Sequence, residues 1–333
     1  MPRTTHGILQ SLATVPNLQV STGVSLALHT RFGIGGPASV FVETADIAGF
    51  IAALRVARNA GCEVAAIGGG SNLIVADEGF DGVVLRYTAA GIRAEGARVT
   101  ADSGAELQAL VDTSIERGLG GIETLTRLPG YVGAAVYGNA GAYGHAISER
   151  VDRVAFFDGE ALRTFDNRQC EFAYRDSVFK RRKEWFIFSV ELTLEAASSE
   201  ELRRVASDIA RVRDEKFPPT MKCAGSIFKN LLFANLPAAV AAQVPPTSVR
   251  EGKVAAAWFL EQAGAKGMAE GGMRVADYHA NLIYNTGTGT ARELRSLIQE
   301  LKTRVRDRFG LLLEEEVQYV GFERAADGSQ RGG

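Results

Sequence analysis

Glycine-rich loops are the first feature of this sequence that could bind a ligand. Three occur, at residues 33–37, 68–72 and 129–144. Backbone amides bind a pyrophosphate well when no side chain holds it at a distance. A single loop of this kind is more typical of a tight turn, because glycine readily adopts positive φ. Three loops together, one with the dense run 137–144, favour a large flat cofactor lying on bare backbone.

The loops do not fit the common nucleotide-binding patterns. None has GxGxxG between a strand and a helix with an acidic residue about 20 positions later. None matches the Walker A pattern of a P-loop. A dinucleotide bound here would therefore not be held by a Rossmann domain.

Apolar periodicity indicates which elements position the second loop. Apolar residues at helical spacing follow Asp46 and predict an amphipathic helix that Gly61 ends. Residues 62–67 then read as a short buried strand that runs into the loop 68–72, and residues 82–86 read as another strand. We expect a small α/β unit over residues 1–87.

Capping-box patterns predict the starts of three later helices. The pairs are Ser103 with Glu106, Ser198 with Glu201, and Thr290 with Glu293. The Phe-Pro-Pro run at 217–219 interrupts the second of these helices and is the expected linker. Gly310 is expected to stop the third helix, before a strand over residues 311–322. These boundaries predict units at 88–219 and 220–324 and a flexible tail at 325–333, in an α+β rather than a doubly wound arrangement.

Composition limits the classes of partner. The 333 residues carry a formal net charge of -2, so no excess of basic charge favours nucleic acid. The three cysteines form no CxxC pair and no zinc spacing, and the four histidines form no metal pattern. We therefore expect no metal site and a reducing compartment.

The sequence also gives no sign of export. The first residues lack a secretory signal, and no apolar run approaches the roughly 20 residues that span a bilayer. We expect a cytoplasmic protein that binds neither membrane nor nucleic acid, and we expect a monomer.

Five motifs follow one another at residues 68–79, 128–144, 174–180, 225–230 and 313–317. Together they resemble the MurB family of flavoenzymes, and the similarity extends over residues 28–321. The His-Ala-Asn run at 279–281 lies between the last two motifs, as it does in the family. Residues 174–216 lack an extra substrate-covering loop, which resembles the family branch without that loop.

The resemblance implies a fold and a reaction. The fold is a FAD-binding unit of the vanillyl-alcohol-oxidase/PCMH type with two subdomains, followed by a MurB-type α+β substrate domain. The reaction is the FAD-dependent reduction of UDP-N-acetylglucosamine enolpyruvate to UDP-N-acetylmuramate with NADPH, in peptidoglycan precursor synthesis. FAD is expected to be bound non-covalently, and the NADPH preference rests on the resemblance alone.

The resemblance also assigns residues to the FAD site. These are Gly68, Gly69, Gly70, Ser71, Asn72, Pro129, Gly130, Gly133, Gly138, Asn139, Ala140, Gly141, Tyr143 and Gly144.

Three further residues match the catalytic positions of the family. Ser226 matches the proton donor, although a serine in a Gly-Ser turn more often satisfies backbone amides. Arg175 matches the charge-stabilising arginine, since a guanidinium can hold a carboxylate with two parallel hydrogen bonds. The alternative for Arg175 is a surface or interdomain ion pair.

Glu316 matches the catalytic glutamate of the family, the second glutamate of Leu-Glu-x-Glu-Val. Strand alternation places Glu314 and Glu316 on one face and Glu315 on the other. The alternative is a charged strand end with at least two of the three facing solvent. Because an anionic carboxylate would oppose a forming enolate, we expect a raised pKa or a shared proton network at Glu316.

Substrate contacts are assigned by the same resemblance to Tyr174, Lys216 and Asn230. Lys216 is equally well explained as a lysine at a helix C-terminus, favoured by the helix dipole. Lys229 and Lys266 are weaker phosphate candidates, and His279 is expected to be a hydrogen-bonded structural residue.

Two other functions remain open at this point. One is a flavin-dependent oxidase of the same superfamily, in which oxygen accepts the electrons. The other is a non-catalytic module that binds a nucleotide sugar.

Overall fold

The N-terminal unit is a mixed sheet covered by helices, seen in a computed structural model that describes residues 3–322. Its elements are helix α1 (Arg3–Leu12), strands β1 (Gln19–Ser25) and β2 (Pro37–Thr44), helix α2 (Ile47–Asn59), and strands β3 (Val64–Ala66), β4 (Leu73–Val75) and β5 (Phe80–Tyr87). The sheet order is β1-β2-β5-β3, with β2, β5 and β3 parallel. The Asp46 side chain accepts from two amides and so starts α2 as predicted.

The central unit is an antiparallel five-stranded sheet with helices packed on it. Its sheet order is β12-β11-β13-β7-β6. The elements are β6 (Ile92–Glu95), β7 (Arg98–Asp102), α3 (Leu107–Glu116), β8 (Leu119–Gly120), α4 (Val132–Tyr137), β9 (Gly141–Ala142), β10 (His145–Ala146), β11 (Val151–Phe157), β12 (Leu162–Asp166), α5 (Val178–Arg181), β13 (Phe186–Thr193), β14 (Glu195–Ala196) and α6 (Ser199–Lys216).

The C-terminal unit is a four-stranded antiparallel sheet, ordered β15-β21-β20-β19, against which α8 and α9 bury their apolar faces. The elements are β15 (Lys222–Ser226), β16 (Leu231–Leu232), α7 (Ala238–Ala241), β17 (Val249–Arg250), β18 (Lys253–Val254), α8 (Ala256–Gln262), β19 (Ala269–Glu270), β20 (Met273–Ala276), β21 (His279–Asn285), α9 (Ala291–Phe309) and β22 (Gln318–Val320). Short 3-10 helices lie at Leu26–His29, Glu123–Leu125, Ile147–Glu149, Phe233–Asn235 and Pro246–Ser248.

The C-terminal unit is tied back to the N-terminal unit. Strand β22 pairs parallel with β4, and Phe32, Ile34 and Ile74 pack in the C-terminal hydrophobic core. The Asp77 carboxylate accepts hydrogen bonds from the amides of Ala291 and Arg292, at the start of α9. The mixture of helices and sheets confirms the α+β class. The boundaries at 87 and 219 stay predictions, and the boundary at 324 and the tail predicted at 325–333 lie outside the described residues.

Two helix starts agree with the capping patterns and one does not. Thr290 and Glu293 form the reciprocal capping box of α9, and Ser198 accepts from the Glu201 amide at the start of α6. The prediction for Ser103 is wrong, because α3 begins only at Leu107 and no side chain caps it. The Ser103 amide instead donates to the Phe188 carbonyl, which extends the sheet past β7 and delays the helix.

The strands expected at 311–322 and 62–67 are also corrected. Only Gln318–Val320 forms a regular strand in the first, because the segment changes partners and residues 314–316 pair with residues 227–229. Strand β3 is shorter than expected and only partly buried. Gly310 ends α9 at φ 68°, and α6 ends at Lys216 before the Phe-Pro-Pro run, both as predicted. No helix among residues 3–322 is long and apolar enough to cross a bilayer.

Candidate functional site

A cleft of about 710 Å³ lies where the three units meet. Its wall combines Ser71 and Asn72 of the glycine loop 68–72 with the stretch 127–143, the end of α6, strand β15 and Glu316. A smaller cavity of about 420 Å³ adjoins it, and the two share Arg31, Gln108, Leu128, Pro129 and Tyr131. The shared wall makes one long groove, which suits an extended ligand more than a compact one.

Arg175 lies on a tight turn that directs it into the cleft. Ala173 and Asp176 exchange both backbone hydrogen bonds around the turn, and Arg175 has a φ of 56°. A non-glycine residue in this region costs on the order of 1–3 kcal/mol, so surrounding contacts must hold it. Its Nη2 donates to the Gly141 carbonyl at 2.9 Å.

Glu316 is the ion-pair partner of Arg175. The Arg175 Nε and Glu316 Oε1 atoms are 2.7 Å apart, with both side chains mostly buried. The buried Nε–H is not aligned for a hydrogen bond to this oxygen, so the contact is an ion pair without hydrogen-bond geometry. A carboxylate ligand could therefore displace Glu316 without breaking an aligned hydrogen bond.

Ser226 is brought beside Glu316 by backbone pairing between distant parts of the chain. The Glu316 amide donates to the Ile227 carbonyl at 2.8 Å, and the Lys229 amide donates to the Glu314 carbonyl at 2.9 Å. Ser226 and Glu316 both line the cleft. Within residues 3–322 the Ser226 hydroxyl makes no hydrogen bond, so its proton is free for a ligand.

The three consecutive glutamates point to three different partners. Glu314 is exposed and pairs with Lys229, whereas Glu315 pairs with Lys302 at 2.7 Å and is only 14% exposed. Glu316 is 22% exposed and faces Arg175. The alternative that at least two of the three face solvent is therefore wrong, because residues 314–316 are held between the segment 227–229 and α9.

The expected substrate residues lie in two places. Lys216 lines the cleft at the end of α6, and burial, ahead of the neighbouring Arg213, lowers its pKa. Tyr174 and Asn230 lie together beside the cleft, where the Tyr174 hydroxyl accepts from the Asn230 amide at 3.2 Å. Burial is the main cause that raises the Tyr174 pKa.

The glycine loops pack closely against each other at the wall of the smaller cavity, which Gly69 and Gly130 both line. A Cβ on Gly130, whose φ is 109°, would lie 2.5 Å from the Ser71 hydroxyl oxygen. A Cβ on Gly69 would approach the Gly130 backbone within 3.2 Å, so these two loops face each other closely. Side-chain-free walls of this kind fit a flat ring and a diphosphate.

Most of the predicted cofactor residues line the groove, and some do not. Those on the wall are Gly68, Gly69, Ser71, Asn72, Pro129, Gly130, Gly138, Ala140, Gly141 and Tyr143. Those not on it are Gly70, Gly133, Asn139 and Gly144. Gly70 is needed for packing because a Cβ there would overlap the His29 carbonyl, and the Asn139 side chain donates to the Ala173 carbonyl at 2.8 Å.

Asn72 connects the glycine loop to Glu316. Its Nδ2 donates to the Glu316 carbonyl at 2.9 Å, and its own carbonyl accepts from the Gln318 amide at 2.9 Å. The loop that borders the groove therefore also fixes the backbone of Glu316.

Three arginines in the cleft wall, Arg31, Arg127 and Arg213, were not predicted as site residues, and Arg127 pairs with Asp214 at 3.2 Å. Arg31 follows the first 3-10 helix, and Arg213 lies one turn before Lys216 on α6. Arg213 lies three residues before Lys216 on the same helix, so both side chains are on one helix face. Because Lys216 was predicted to contact the substrate, this spacing could have predicted Arg213 as a cleft residue. The Arg213 Nε is buried without a hydrogen-bond partner among the described residues, so this donor is available to an anion.

The weaker candidates have other partners. Lys229 pairs with Glu314, and Lys266 Nζ lies 3.1 Å from a Glu261 oxygen. Burial, ahead of the charges of Lys216 and Lys266, lowers the pKa of His279 to about 4. The expected hydrogen bond of His279 is not seen at Nε2, which has no partner among residues 3–322.

Family models and relatives agree with this architecture. Residues 38–162 match an FAD binding domain, and residues 217–320 match the UDP-N-acetylenolpyruvoylglucosamine reductase C-terminal domain. A UDP-N-acetylenolpyruvoylglucosamine reductase of Solibacter usitatus is 64% identical over 93% of this chain and 99% of its own length. One from Anoxybacillus flavithermus is 33% identical over 89% of this chain and 92% of its own length.

A solved structure is similar over the same length. It is a UDP-N-acetylenolpyruvylglucosamine reductase (MurB) from Thermus caldophilus, which has a TM-score of 0.72 and 27% identity and covers 91% of this chain and 99% of its own. The similarity therefore includes the N-terminal, central and C-terminal units together.

Proposed function

Because the chain belongs to the UDP-N-acetylenolpyruvoylglucosamine reductase family, we propose that Ser226, Arg175 and Glu316 carry out the chemistry of that family in this cleft. The protein is an FAD-dependent oxidoreductase that reduces UDP-N-acetylglucosamine enolpyruvate to UDP-N-acetylmuramate with NADPH, in peptidoglycan synthesis. The comparisons support neither an oxidase nor a non-catalytic binding module. The observation that best supports these roles is the Arg175–Glu316 pair at 2.7 Å, which lies in the same cleft as Ser226.

The residues of the groove fit FAD. When bound, FAD accepts a hydride equivalent from NADPH and supplies it to the vinyl carbon of the substrate. The bare backbone of the facing loops at Gly69 and Gly130 supports its assignment to these loops. Arg31 and Arg213 are further cations on the cleft wall that suit the diphosphate of a nucleotide ligand.

Arg175 would bind the carboxylate of the enolpyruvyl group. Negative charge builds at the carbon next to that carboxylate during reduction, and a guanidinium stabilises it more strongly as it forms. The misaligned Arg175–Glu316 contact leaves the arginine available for this exchange.

Ser226 would donate the proton that completes the reduction. A hydroxyl is a weak acid, but an enolate-like carbanion held in contact with it is basic enough to accept its proton. Glu316 lies beside both residues and would belong to the proton path, and whether it carries the shared proton stays a prediction. Lys216 is assigned to substrate phosphate, with Tyr174 and Asn230 as further substrate contacts.

Location and assembly are part of the same proposal. NADPH and the nucleotide sugar are intracellular metabolites, which supports a cytoplasmic enzyme. We further propose that the enzyme is a monomer, which light scattering after gel filtration would test. We also propose that it binds no nucleic acid.

The proposed role of Ser226 is tested by separating the two half-reactions in anaerobic stopped-flow. In Ser226→Ala, NADPH should reduce the flavin at near the wild-type rate. Reoxidation of the flavin by the enolpyruvyl substrate should slow by about 10²–10⁴-fold, because proton transfer is lost. The matched control is Ser21→Ala, an exposed serine of β1, which should leave both rates unchanged. Normal reoxidation in Ser226→Ala would remove this serine from the mechanism.

A further inference from the structure

Lys180 is a half-buried lysine in α5 whose ammonium contacts the turn that carries Arg175. Its Nζ donates to the Arg175 carbonyl oxygen at 2.9 Å. The helix that carries it is anchored, because the neighbouring Phe179 is fully buried in the central core. The Ser177 hydroxyl, also fully buried, donates to the Tyr137 carbonyl at 2.7 Å.

The turn needs this contact because its backbone is strained at the functional residue. Arg175 has a φ of 56°, a conformation that glycine or asparagine adopts far more readily at this turn position. Other bonds hold the flanks of the turn, such as Asn139 Nδ2 to the Ala173 carbonyl at 2.8 Å. The ammonium of Lys180 binds the carbonyl of Arg175 itself.

We propose that Lys180 is a positioning residue that fixes the backbone of Arg175 in its left-handed conformation and thereby aims the guanidinium at the substrate carboxylate. The proposal rests on the role of Arg175 given above. A lysine suits this position because a charge-assisted hydrogen bond to a carbonyl is stronger than a neutral one. Its four-carbon stem also spans from an anchored helix to the turn without entering the cleft wall, of which Lys180 is not part.

Other charged groups near Lys180 show that it is not held by one ion pair. Glu316, Asp176, Glu314 and Lys229 all act electrostatically on its ammonium. Of these acids, Glu316 pairs with Arg175 and Glu314 with Lys229. The Lys180 ammonium therefore donates its hydrogen bond to the Arg175 carbonyl, whereas the surrounding charges act on it only electrostatically.

The test is a double-mutant cycle read by stopped-flow on the FAD-loaded enzyme. Lys180→Met should leave flavin reduction by NADPH and the affinity for FAD unchanged. It should slow reoxidation by the enolpyruvyl substrate by about 10- to 100-fold, as expected for a misplaced functional group. Lys180→Arg, which keeps the charge and the donor, should restore most of that rate. The matched control is Lys183→Met, an exposed lysine one turn away.

The decisive measurement is Lys180→Met in the Arg175→Ala background. If Lys180 acts through Arg175, the second substitution should change the remaining rate by less than about 2-fold. The proposal would be overturned if the rate losses of Lys180→Met and Arg175→Ala multiply in the double variant. It would also be overturned if Lys180→Met alone is reoxidised at the wild-type rate. Wild-type behaviour of Arg175→Ala would instead overturn the role of Arg175 in the reaction. If Lys180→Met does not retain flavin, Lys180→Gln takes its place in the same cycle.

Discussion

Arg213 is a charged residue whose Nε lies buried without a hydrogen-bond partner among the residues that the structure describes. Burial is the main cause that lowers its pKa, and the guanidinium groups of Arg31 and Arg175 add to it. The Arg213 guanidinium lies over the Phe217 ring, 5.3 Å from its centroid, but the ring does not accept a hydrogen bond from the buried Nε–H. A buried donor without an acceptor destabilises a protein unless a ligand supplies one. We therefore interpret Arg213 as an anion-binding residue of the cleft.

Replacing Arg213 should change ligand binding and the stability of the ligand-free protein in opposite directions. Arg213→Met should weaken binding of FAD or of the nucleotide-sugar substrate by about 10- to 100-fold, because a charge-assisted hydrogen bond is lost. The ligand-free variant should melt at a higher temperature than the wild type. Flavin fluorescence titration, substrate KM and thermal melting measure these effects. Arg211→Met, which removes an exposed arginine paired with Glu215, is the control and should change none of them.

His279 should make the stability of the protein sensitive to acid. Burial holds its folded-state pKa at about 4, below the ordinary value of 6.5. The unfolded chain therefore binds a proton between these two pH values that the folded protein does not bind. Stability should fall as pH decreases from 6.5 to about 4, and this contribution is complete above 6.5.

The measurement is urea unfolding of wild type and His279→Leu across that pH range. The carboxylates titrate in both proteins, so their contribution cancels in the difference between the two unfolding free energies. This difference should still change with pH, because only the wild type contains His279. His145→Leu removes an exposed histidine paired with Glu149, so it measures how much an ion-paired surface histidine changes the same free-energy difference. A pH-independent difference for His279→Leu would contradict the assignment.

At the scale of elements, the local sequence was sufficient to predict a helix end where the capping residue and the backbone groups that it binds belong to the same helix. Thr290, Glu293 and Gly310 predicted both ends of α9, because capping bonds form within a few residues. The pattern at Ser103 and Glu106 is of the same type, but its prediction was wrong because a distant strand accepts the hydrogen bond of the Ser103 amide. Nothing in the local sequence reports that competition.

The segment 311–322 illustrates the same limit for strands. Its apolar and acidic residues predicted one continuous strand, but residues 314–316 pair with residues 227–229 and residues 318–320 pair with β4. One segment that serves two partners must bend between them. Alternation still separated Glu315 from Glu316, because opposite side-chain directions persist through the irregular part.

At the scale of the whole molecule, the site depends on contacts between residues far apart in sequence. Resemblance to a family selected Arg175, Ser226 and Glu316, and composition alone would not have done so. The structure brings them to one cleft through the pairing of residues 227–229 with 314–316 and through the Asn72 bond to Glu316. Arg213 was missed because a buried donor without an acceptor becomes evident only when its surroundings are known.

Asp77 connects two units that must stay together for this cleft to exist. Its two carboxylate oxygens accept from the Ala291 and Arg292 amides at 2.8 and 2.9 Å, at the N-terminus of α9. Helix N-termini favour negative charge, and α9 also carries much of the C-terminal core. Asp77 therefore caps a helix of one unit from a loop of another.

We expect Asp77→Ala to lower the free energy of unfolding by about 1–2 kcal/mol, since two amides lose a charged acceptor. Asp77→Asn, which keeps one acceptor, should lose about half as much. Hydrogen exchange should accelerate in the first turn of α9 and in the paired strands β4 and β22, but not in β11 and β13 of the central sheet. Asp81→Ala removes an exposed carboxylate bonded to Ser39 in the same unit and is the matched control. Acceleration confined to α9 would mean that Asp77 caps the helix without joining the units.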